Sequence, residues 1–528
     1  MGRTTIGVIV DNGQLARWQA DALRTLTSDH DLIVYNCLNS RAGKRRPRHA
    51  LYYLLNLGTV RNAQTRRGPI PPDIRPVATV DFESVHDGSW QSLPNSLIDR
   101  IRADQPTVLV KFGMGLLTVP PKSDLPTPIL SYHHGDPSAF RGRPAGFYEL
   151  LTGAERMGQV VQTLSNELDA GAIAAFAETR IHRHSYHATL VEAYRASPLL
   201  LRPAIAAATN GNVTGLPRGK AYRLPGNGLV TRFCLMLLGN LIRRFWYGAF
   251  VEKKWQVAEA IAPDPSSLGR EGAFPLPDRW QVVPTPRGYA FIADPFYHPE
   301  QGILVEGLAT ATGHGEILHL SDGTANRLLG GTDHWSYPAT LTVEGAHFIL
   351  TERAEAGGVQ LFRLTDAGPQ RVVDFNVAGS PRLIDPTLLD HDGTFYLFGN
   401  RLEEGSGVLR LWTGNRVAGP YEEHPRSPIR ISPAGGRMGG QVMADGPALI
   451  RVGQDYSGAY GDGVILFEIE RLKPTDYREH EIGSLRFDDV RGPHTTNLRD
   501  GHILFDFYRD RVSPVAGLRR LRNRLARG

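Results

Sequence analysis

Four segments in the second half of the chain share one layout, and this repetition restricts the fold more than any other feature. Ala293-Asp-Pro-Phe-Tyr-His298 and residues 336–352, 384–398 and 492–506 each set a polar residue or Gly before Pro. An apolar strand, a Gly or Asp turn and a second apolar strand follow. The prolines are Pro295, Pro338, Pro386 and Pro493, at intervals of 43, 48 and 107 residues, and the longest interval leaves room for one more unit. Residues 437–443, turning at Ala444-Asp-Gly-Pro447 into 448–455, supply it. A period of roughly 40 to 50 residues built from antiparallel strands predicts an all-β five-bladed propeller over residues 276–512. The 57 glycines and 37 prolines of the 528-residue chain are in good part the punctuation of this repeat.

The first 215 residues have a different texture, alternating β-branched runs with amphipathic stretches. Strands are expected at 6–10, 107–113, 129–133 and 159–164, and helices at 14–26, 143–152 and 186–210. That order predicts an α/β, Rossmann-like domain with a largely parallel sheet, in which chemistry sits beyond the carboxyl ends of the strands. Residues 216–275 read as a helical connection. It holds the most apolar stretch, 229–250, and ends in the Pro/Gly/Ser-rich run 262–272. Residues 513–528 form a basic tail with five arginines.

Composition excludes several classes. With 41% hydrophobic and 21% charged residues the chain reads as globular. A net charge of +5 spread over this length does not imply a nucleic-acid partner. Cys37 and Cys234 cannot build a disulfide framework or a metal-ligand spacing, which points to a reducing compartment. The amino terminus runs directly into a strand without an apolar signal region, so a cytoplasmic location is expected. Arg232, Arg243 and Arg244 leave ten residues between charges within 229–250, too few to span about 30 Å of hydrocarbon. A buried helix, or peripheral membrane contact through 229–250 or the basic carboxyl terminus, are the remaining readings. His182, His184 and His187 stand at spacings of two and three with no acidic or Cys partner in their segment, so no metal site is assigned. Asp11-Asn-Gly-Gln14 lacks a dinucleotide-binding fingerprint.

The densest chemistry in the first part lies at Ile129-Leu-Ser-Tyr-His-His134 and its continuation to Thr152-Gly153, followed by Glu167-Leu-Asp-Ala-Gly171. His133 falls at a strand end and Asp169 in a Gly-flanked loop after the next strand, where adjacent parallel strands would bring them within reach. An imidazole oriented and kept protonated by a carboxylate suits oxyanion stabilisation and proton movement. With Phe112-Gly113, Phe140-Arg-Gly142 and Thr152-Gly153 in the same order, residues 1–215 resemble the formyltransferase fold of methionyl-tRNA formyltransferase, glycinamide ribonucleotide transformylase and the sugar N-formyltransferases. The resemblance implies an N10-formyltetrahydrofolate donor, a substrate amine, catalytic His133 and Asp169, and substrate binding at Arg141 and Gly142. Ser131 stands where that family has Asn, and a shorter hydroxyl reaches a formyl oxygen only through water. Gly135-Asp-Pro-Ser138 likewise replaces the family's usual Ser-Leu-Leu-Pro element. His134 is expected to face away and pack.

In the repeat, residues beside the recurrent prolines are expected to converge on the axis: Asp294, Tyr337, Asp385 and His494, with Gln441 or Asp445 from the fourth unit. The Asp294 and Asp385 motifs resemble the first two acidic motifs of five-bladed arabinanases and β-xylosidases. A Glu before Gly-Pro, their third motif, has no counterpart, since Asp445 stands there. A closer resemblance, carried by Gly439-Gly-Gln441, residues 450–455, Tyr460-Gly461, residues 469–472, 477–479 and Gly492-Pro-His-Thr495, is to the amino-terminal domain of plant glucosamine inositolphosphorylceramide transferases. The expectation is a formyltransferase-like transferase acting on an amine of a sugar or glycolipid precursor, the propeller binding the saccharide through Asp294, Asp385 and His494. A catalytically degenerate carbohydrate-binding or scaffold protein, and a propeller glycosidase, are the alternatives.

Overall fold

A computed structural model describes residues 3–39, 46–215, 218–261, 280–353, 357–487 and 489–527. The chain divides into two compact units, Met1–Arg244 and Phe245–Gly528.

In the first unit Thr4–Asp11 lies at the centre of a mixed sheet. His30–Cys37 and then Ala78–Phe82 run parallel on one side of it, Val108–Lys111 and then Ile129–His133 on the other. These runs form strands because they are β-branched and apolar: Ile6, Val8, Ile9, Val10, Val108, Leu109 and Val110 are all buried, as strands covered on both faces require. Leu97, Ile98 and Ile101 of the helix Asn95–Asp104 cover the face that carries Ile9 and Leu109. On the opposite face the Trp18 ring meets Phe112, Tyr132, His134 and Tyr194.

Three expectations need correction here. The sheet is parallel only at its centre, because Arg156–Thr163 and Ile173–Arg180 extend it antiparallel. The expected helix 14–26 opens with a strand, Gln14–Ala16, and is helical only over Arg17–Arg24. The expected helix 186–210 is broken into Tyr186–Ala196, the tighter turn Ser197–Leu200 and Leu201–Thr209. Pro198 has no amide hydrogen with which to continue the first helix.

The apolar stretch forms a 24-residue helix, Asn227–Phe250, in which only Val230 and Phe233 are buried. Phe233 stacks on Phe147 at 4.2 Å, while Leu235, Leu238, Leu241 and Ile242 are exposed. Among the described residues no helix is long and apolar enough to cross a membrane.

The second unit holds, among the described residues, five antiparallel sheets of four or five strands. The first three begin with Tyr289–Tyr297, Ser336–Val343 and Leu383–His391, and the fourth with Ala434–Met438. The fifth joins distant parts of the chain. Thr496–Arg499 and His502–Val512 pair with Val251–Ile261, which in turn pairs with Trp280–Val283. Residues 251–261 are therefore strand, not part of a helical connection. Eleven consecutive register pairs to His502–Val512 hold them, from Val251 against Val512 to Ile261 against His502. The Pro/Gly/Ser-rich run 262–272 lies outside the described residues.

Candidate functional site

Three neighbouring strands of the first unit end at one edge of the sheet, in Asp11, Lys111 and His133. His133 is buried; its Nε2 lies 2.9 Å from the Phe140 carbonyl oxygen and its Nδ1 3.5 Å from Asp169 Oδ1. The turn that allows this needs Gly135. A Cβ there would stand 2.7 Å from His133 Nε2 and 2.8 Å from the Phe140 oxygen. Asp169 is held in turn by the Gly142 amide, which donates to Oδ2 at 2.8 Å, and has a left-handed φ of 47°. Gly171 lets the same loop lie on the strand Arg156–Thr163, since a Cβ would fall 1.6 Å from the Thr163 carbonyl oxygen. His133 and Asp169 thus meet as expected, but across an antiparallel strand.

Ser131 is buried two residues before His133 and pairs in register with Lys111 on one side and Gln162 on the other. Arg141 donates to Glu167 at 2.9 Å while its Nε is buried with no partner among the described residues. His134 faces the aromatic side, 2.9 Å from Ser197 Oγ, where burial and neighbouring His133 push it down to about 3. Lys111 was missed by the sequence reading although it was visible as the one charge ending the run Thr107-Val-Leu-Val-Lys111. Its burial outweighs the attraction of Asp11 and Asp169 and brings its amine down to about 8. The histidine segment gains a partner that its own stretch lacks: His182 Nε2 lies 2.6 Å from Glu192 of the following helix. A cavity of about 350 Å³ elsewhere in this unit is lined by Tyr52, Tyr53, Arg143, Tyr186 and Tyr194 among others, and by none of the expected site residues.

In the second unit the recurrent Xaa-Pro pairs are β-bulges. Register slips by one residue between Ala293 and Phe296, Ser336 and Ala339, and Ile384 and Thr387. Asp294, Tyr337 and Asp385 adopt left-handed φ values of 47°, 51° and 46°. A bulge re-aims one side chain out of the ladder, and here it turns three buried polar groups onto neighbouring sheets. Asp294 accepts from Thr495 Oγ1 at 2.7 Å and lies 3.4 Å from His494 Nδ1. That nitrogen donates to Asp506 at 2.8 Å, and His494 Nε2 lies 2.7 Å from the Tyr460 hydroxyl. Asp506 also accepts amide hydrogens from Asp294, His494 and Thr495. The Asp294, His494 and Asp506 ligand atoms lie within 4.8 Å of one another, a set that could hold a metal ion; each is already engaged by hydrogen bonds.

Asp385 belongs to a separate knot. It is ion-paired with Arg437, accepts from Gln454 at 2.6 Å, and its amide donates to Glu352 at 2.9 Å. The structure therefore joins Asp294 to His494 and gives Asp385 other partners. The Tyr337 hydroxyl accepts from the Gly440 amide at 2.9 Å, and Gln441 donates to the Leu388 carbonyl. Asp445 lies at the end of the short strand Met443–Asp445.

These groups make stability depend on pH. Burial opposes a charge on His494, but Asp506 and Asp294 prevail and raise it to about 9 from 6.5. Its stabilising effect is fully present below pH 6.5 and lost as pH rises through 9. The shift corresponds to roughly 3 kcal/mol. Burial also raises Asp294 to about 7, which lowers stability in the same direction over this interval. Urea denaturation at pH 6 and pH 9.5 should therefore show at least that fall, and His494→Gln should reduce it without abolishing it; an equally steep profile in the variant would exclude His494 as a source.

Comparison with known proteins places the recognisable sequence in the second unit. The family described as "Glucosamine inositolphosphorylceramide transferase 1, N-terminal" matches residues 284–504, in line with the resemblance expected for about residues 275–510. The chain is 31% identical over 258 residues to glucosamine inositolphosphorylceramide transferase 1 of Oryza sativa subsp. japonica, covering 45% of this chain and 34% of that protein. The Arabidopsis thaliana protein of that name is 27% identical over 208 residues, covering 36% and 27%. The chain spans about a third of the length of the curated relatives it matches. Similar solved structures include glycinamide ribonucleotide transformylase 1 from Symbiobacterium toebii, at 16% identity and TM-score 0.28, covering 40% of this chain and 94% of that one. A sugar N-formyltransferase from a Shewanella species has 13% identity and TM-score 0.27, covering 44% and 88%.

Proposed function

We propose that the first unit transfers a formyl group from a folate donor, N10-formyltetrahydrofolate, to an amine on a sugar or glycolipid precursor. The observation that carries this reading is His133, at the carboxyl edge of the sheet, with Phe140 oxygen at one ring nitrogen and Asp169 near the other. Such an imidazole can stabilise an oxyanion and pass a proton. Ser131 would donate through water, and Arg141, with its unpartnered buried Nε, suits an anionic or carbonyl group of a substrate beside Gly142. Isothermal titration with a stable formyltetrahydrofolate analogue, followed by turnover with amino sugars, tests it. Binding and formylated product are expected; no binding to the intact chain would overturn it.

In the same reading the five sheets of the second unit are the blades of a propeller that binds the saccharide. The relatives named as glycolipid transferases support a carbohydrate-related role for this unit. The glycosidase alternative has less support, because Asp385 is committed to Arg437 and Gln454 while Asp294 bonds to Thr495, so the two expected acids serve different partners rather than one acid/base pair.

A glycolipid precursor also implies a membrane surface, with the protein acting from the cytoplasm. The exposed Leu235, Leu238, Leu241 and Ile242, with Arg232, Arg243 and Arg244 on the same helix, suit peripheral contact with anionic lipid. Flotation with vesicles of phosphatidylcholine and phosphatidylglycerol, which present an anionic surface, should carry the protein. Leu238→Ser with Ile242→Ser should reduce recovery several-fold, and equal recovery would exclude this face.

A further inference from the structure

Seven of the 59 cationic residues are lysines, and one of them ends a central strand at the edge where His133 lies. Strand pairing sets Ile9, Lys111, Ser131 and Gln162 in one row across four neighbouring strands. Residues paired in register point to one face, so Lys111, Ser131 and Gln162 share a face, and Asp11 and His133, two residues further along their strands, share it with them.

The ionisable groups around Lys111 come from three elements: Asp11 from Thr4–Asp11, His133 from Ile129–His133, and Asp169 from the loop after Arg156–Thr163. Each acid oxygen has other work. Asp11 Oδ1 accepts the Met114 amide at 2.8 Å and Oδ2 lies 3.9 Å from Arg67. Asp169 accepts the Gly142 amide and faces His133. Among the described residues the side-chain amine of Lys111 forms no hydrogen bond or ion pair. A structural cation in such a place would be an arginine in a fork with a carboxylate, as elsewhere in this chain; a lysine differs in being able to give up its proton.

We propose that Lys111 is the general base that takes a proton from the attacking amine of the acceptor, opposite His133. This role rests on the formyl-transfer reading above. The acceptor ammonium gives one proton to Lys111 Nζ, and its lone pair forms the new C–N bond at the formyl carbon. The bond from that carbon to the donor nitrogen breaks, His133 protonates that nitrogen, and His133 recovers the proton shed by the new amide nitrogen. Lys111 releases its proton to solvent, so one proton is liberated per turnover. The depressed affinity of this amine for its proton leaves a useful neutral fraction near neutral pH.

Two measurements on the full chain test the role. Competitive acetylation of the seven lysines by acetic anhydride, read by peptide mass spectrometry, should show Lys111 half-reactive near pH 8 and exposed lysines near pH 10, roughly their ordinary value. A Lys111 curve coincident with the others overturns the proposal. In steady-state formyl transfer, Lys111→Gln should lose about 10²-fold in kcat and the rising limb of the pH profile. Lys111→Arg, which keeps the charge, should not restore it. In a Cys234→Ser background, Lys111→Cys alkylated with bromoethylamine should recover the rate and move the limb to lower pH. Turnover with an unchanged profile in Lys111→Gln overturns this role alone, whereas no turnover by the wild type overturns the formyl-transfer reading and this role with it.

Discussion

His133→Ala is expected to lower formyl transfer by roughly 10²- to 10⁴-fold, the range for loss of a positioned proton carrier, while leaving binding of the folate analogue nearly intact. The geometry explains the split. His133 touches the loop at Phe140 and faces Asp169; in the proposed reading its ring serves the reacting atoms, whereas the Arg141 Nε, without a partner among the described residues, is left to hold substrate. An interaction realised chiefly in the transition state lowers kcat and kcat/KM together. Asp169→Asn should follow the same pattern with a smaller loss, because a carboxamide keeps the acceptor for the Gly142 amide but removes the charge beside the imidazole. Circular dichroism and a melting temperature within a few degrees of wild type would confirm that both variants fold. Turnover unchanged in His133→Ala would exclude the imidazole as a catalytic residue.

What the sequence made legible depended on the range of the interaction. The Asp-Pro and Tyr-Pro pairs were readable because a bulge is local: Pro removes one ladder amide, and the residue before it takes the unusual φ seen at Asp294, Tyr337 and Asp385. The His133 and Asp169 loops were likewise visible as short motifs. Residues 251–261 were not, because their partners lie at 502–512 and the mixed polar and apolar sequence Val251-Glu-Lys-Lys-Trp-Gln-Val-Ala-Glu-Ala-Ile261 has no local period that separates a strand from a helix. The antiparallel direction of Arg156–Thr163 also depends on pairing at a distance. Asp385 was expected beside Asp294 by analogy of position, yet Arg437 and Gln454 from the fourth sheet decide where its carboxylate bonds. Lys111 was overlooked because its meaning comes from Ser131 and Gln162 beside it, which only the register reveals.

The same distance-dependence hides a buried ion pair of the second unit, and Arg451→Ala is expected to expose it by costing about 3–5 kcal/mol of stability. Arg451 is fully buried and Glu479 nearly so. Arg451 donates to both Glu479 oxygens at 2.7 and 2.8 Å and to the Gly435 carbonyl at 2.9 Å. Arg430 and the Tyr477 hydroxyl complete the carboxylate's partners at 2.8 and 2.6 Å, and both guanidinium groups lie over the Phe467 ring, at 4.0 and 4.4 Å. Burial works against a charge on Glu479, but Arg451 and Arg430 hold its carboxyl down to about 2. That contribution is present above about pH 4.5 and is lost as pH falls through 2. Truncating Arg451 leaves a buried carboxylate with one guanidinium, an unpaired carbonyl and a cavity beside Phe467. Urea unfolding should therefore show the full loss at pH 7 and a much smaller one near pH 2. Lys at 451 should recover only part, because an ammonium cannot form the two-pronged pair. Arg451→Met combined with Glu479→Gln should be more stable than Arg451→Ala, since the uncompensated charge is then gone. A loss below 1 kcal/mol in Arg451→Ala would mean that Arg430 and Tyr477 alone satisfy Glu479.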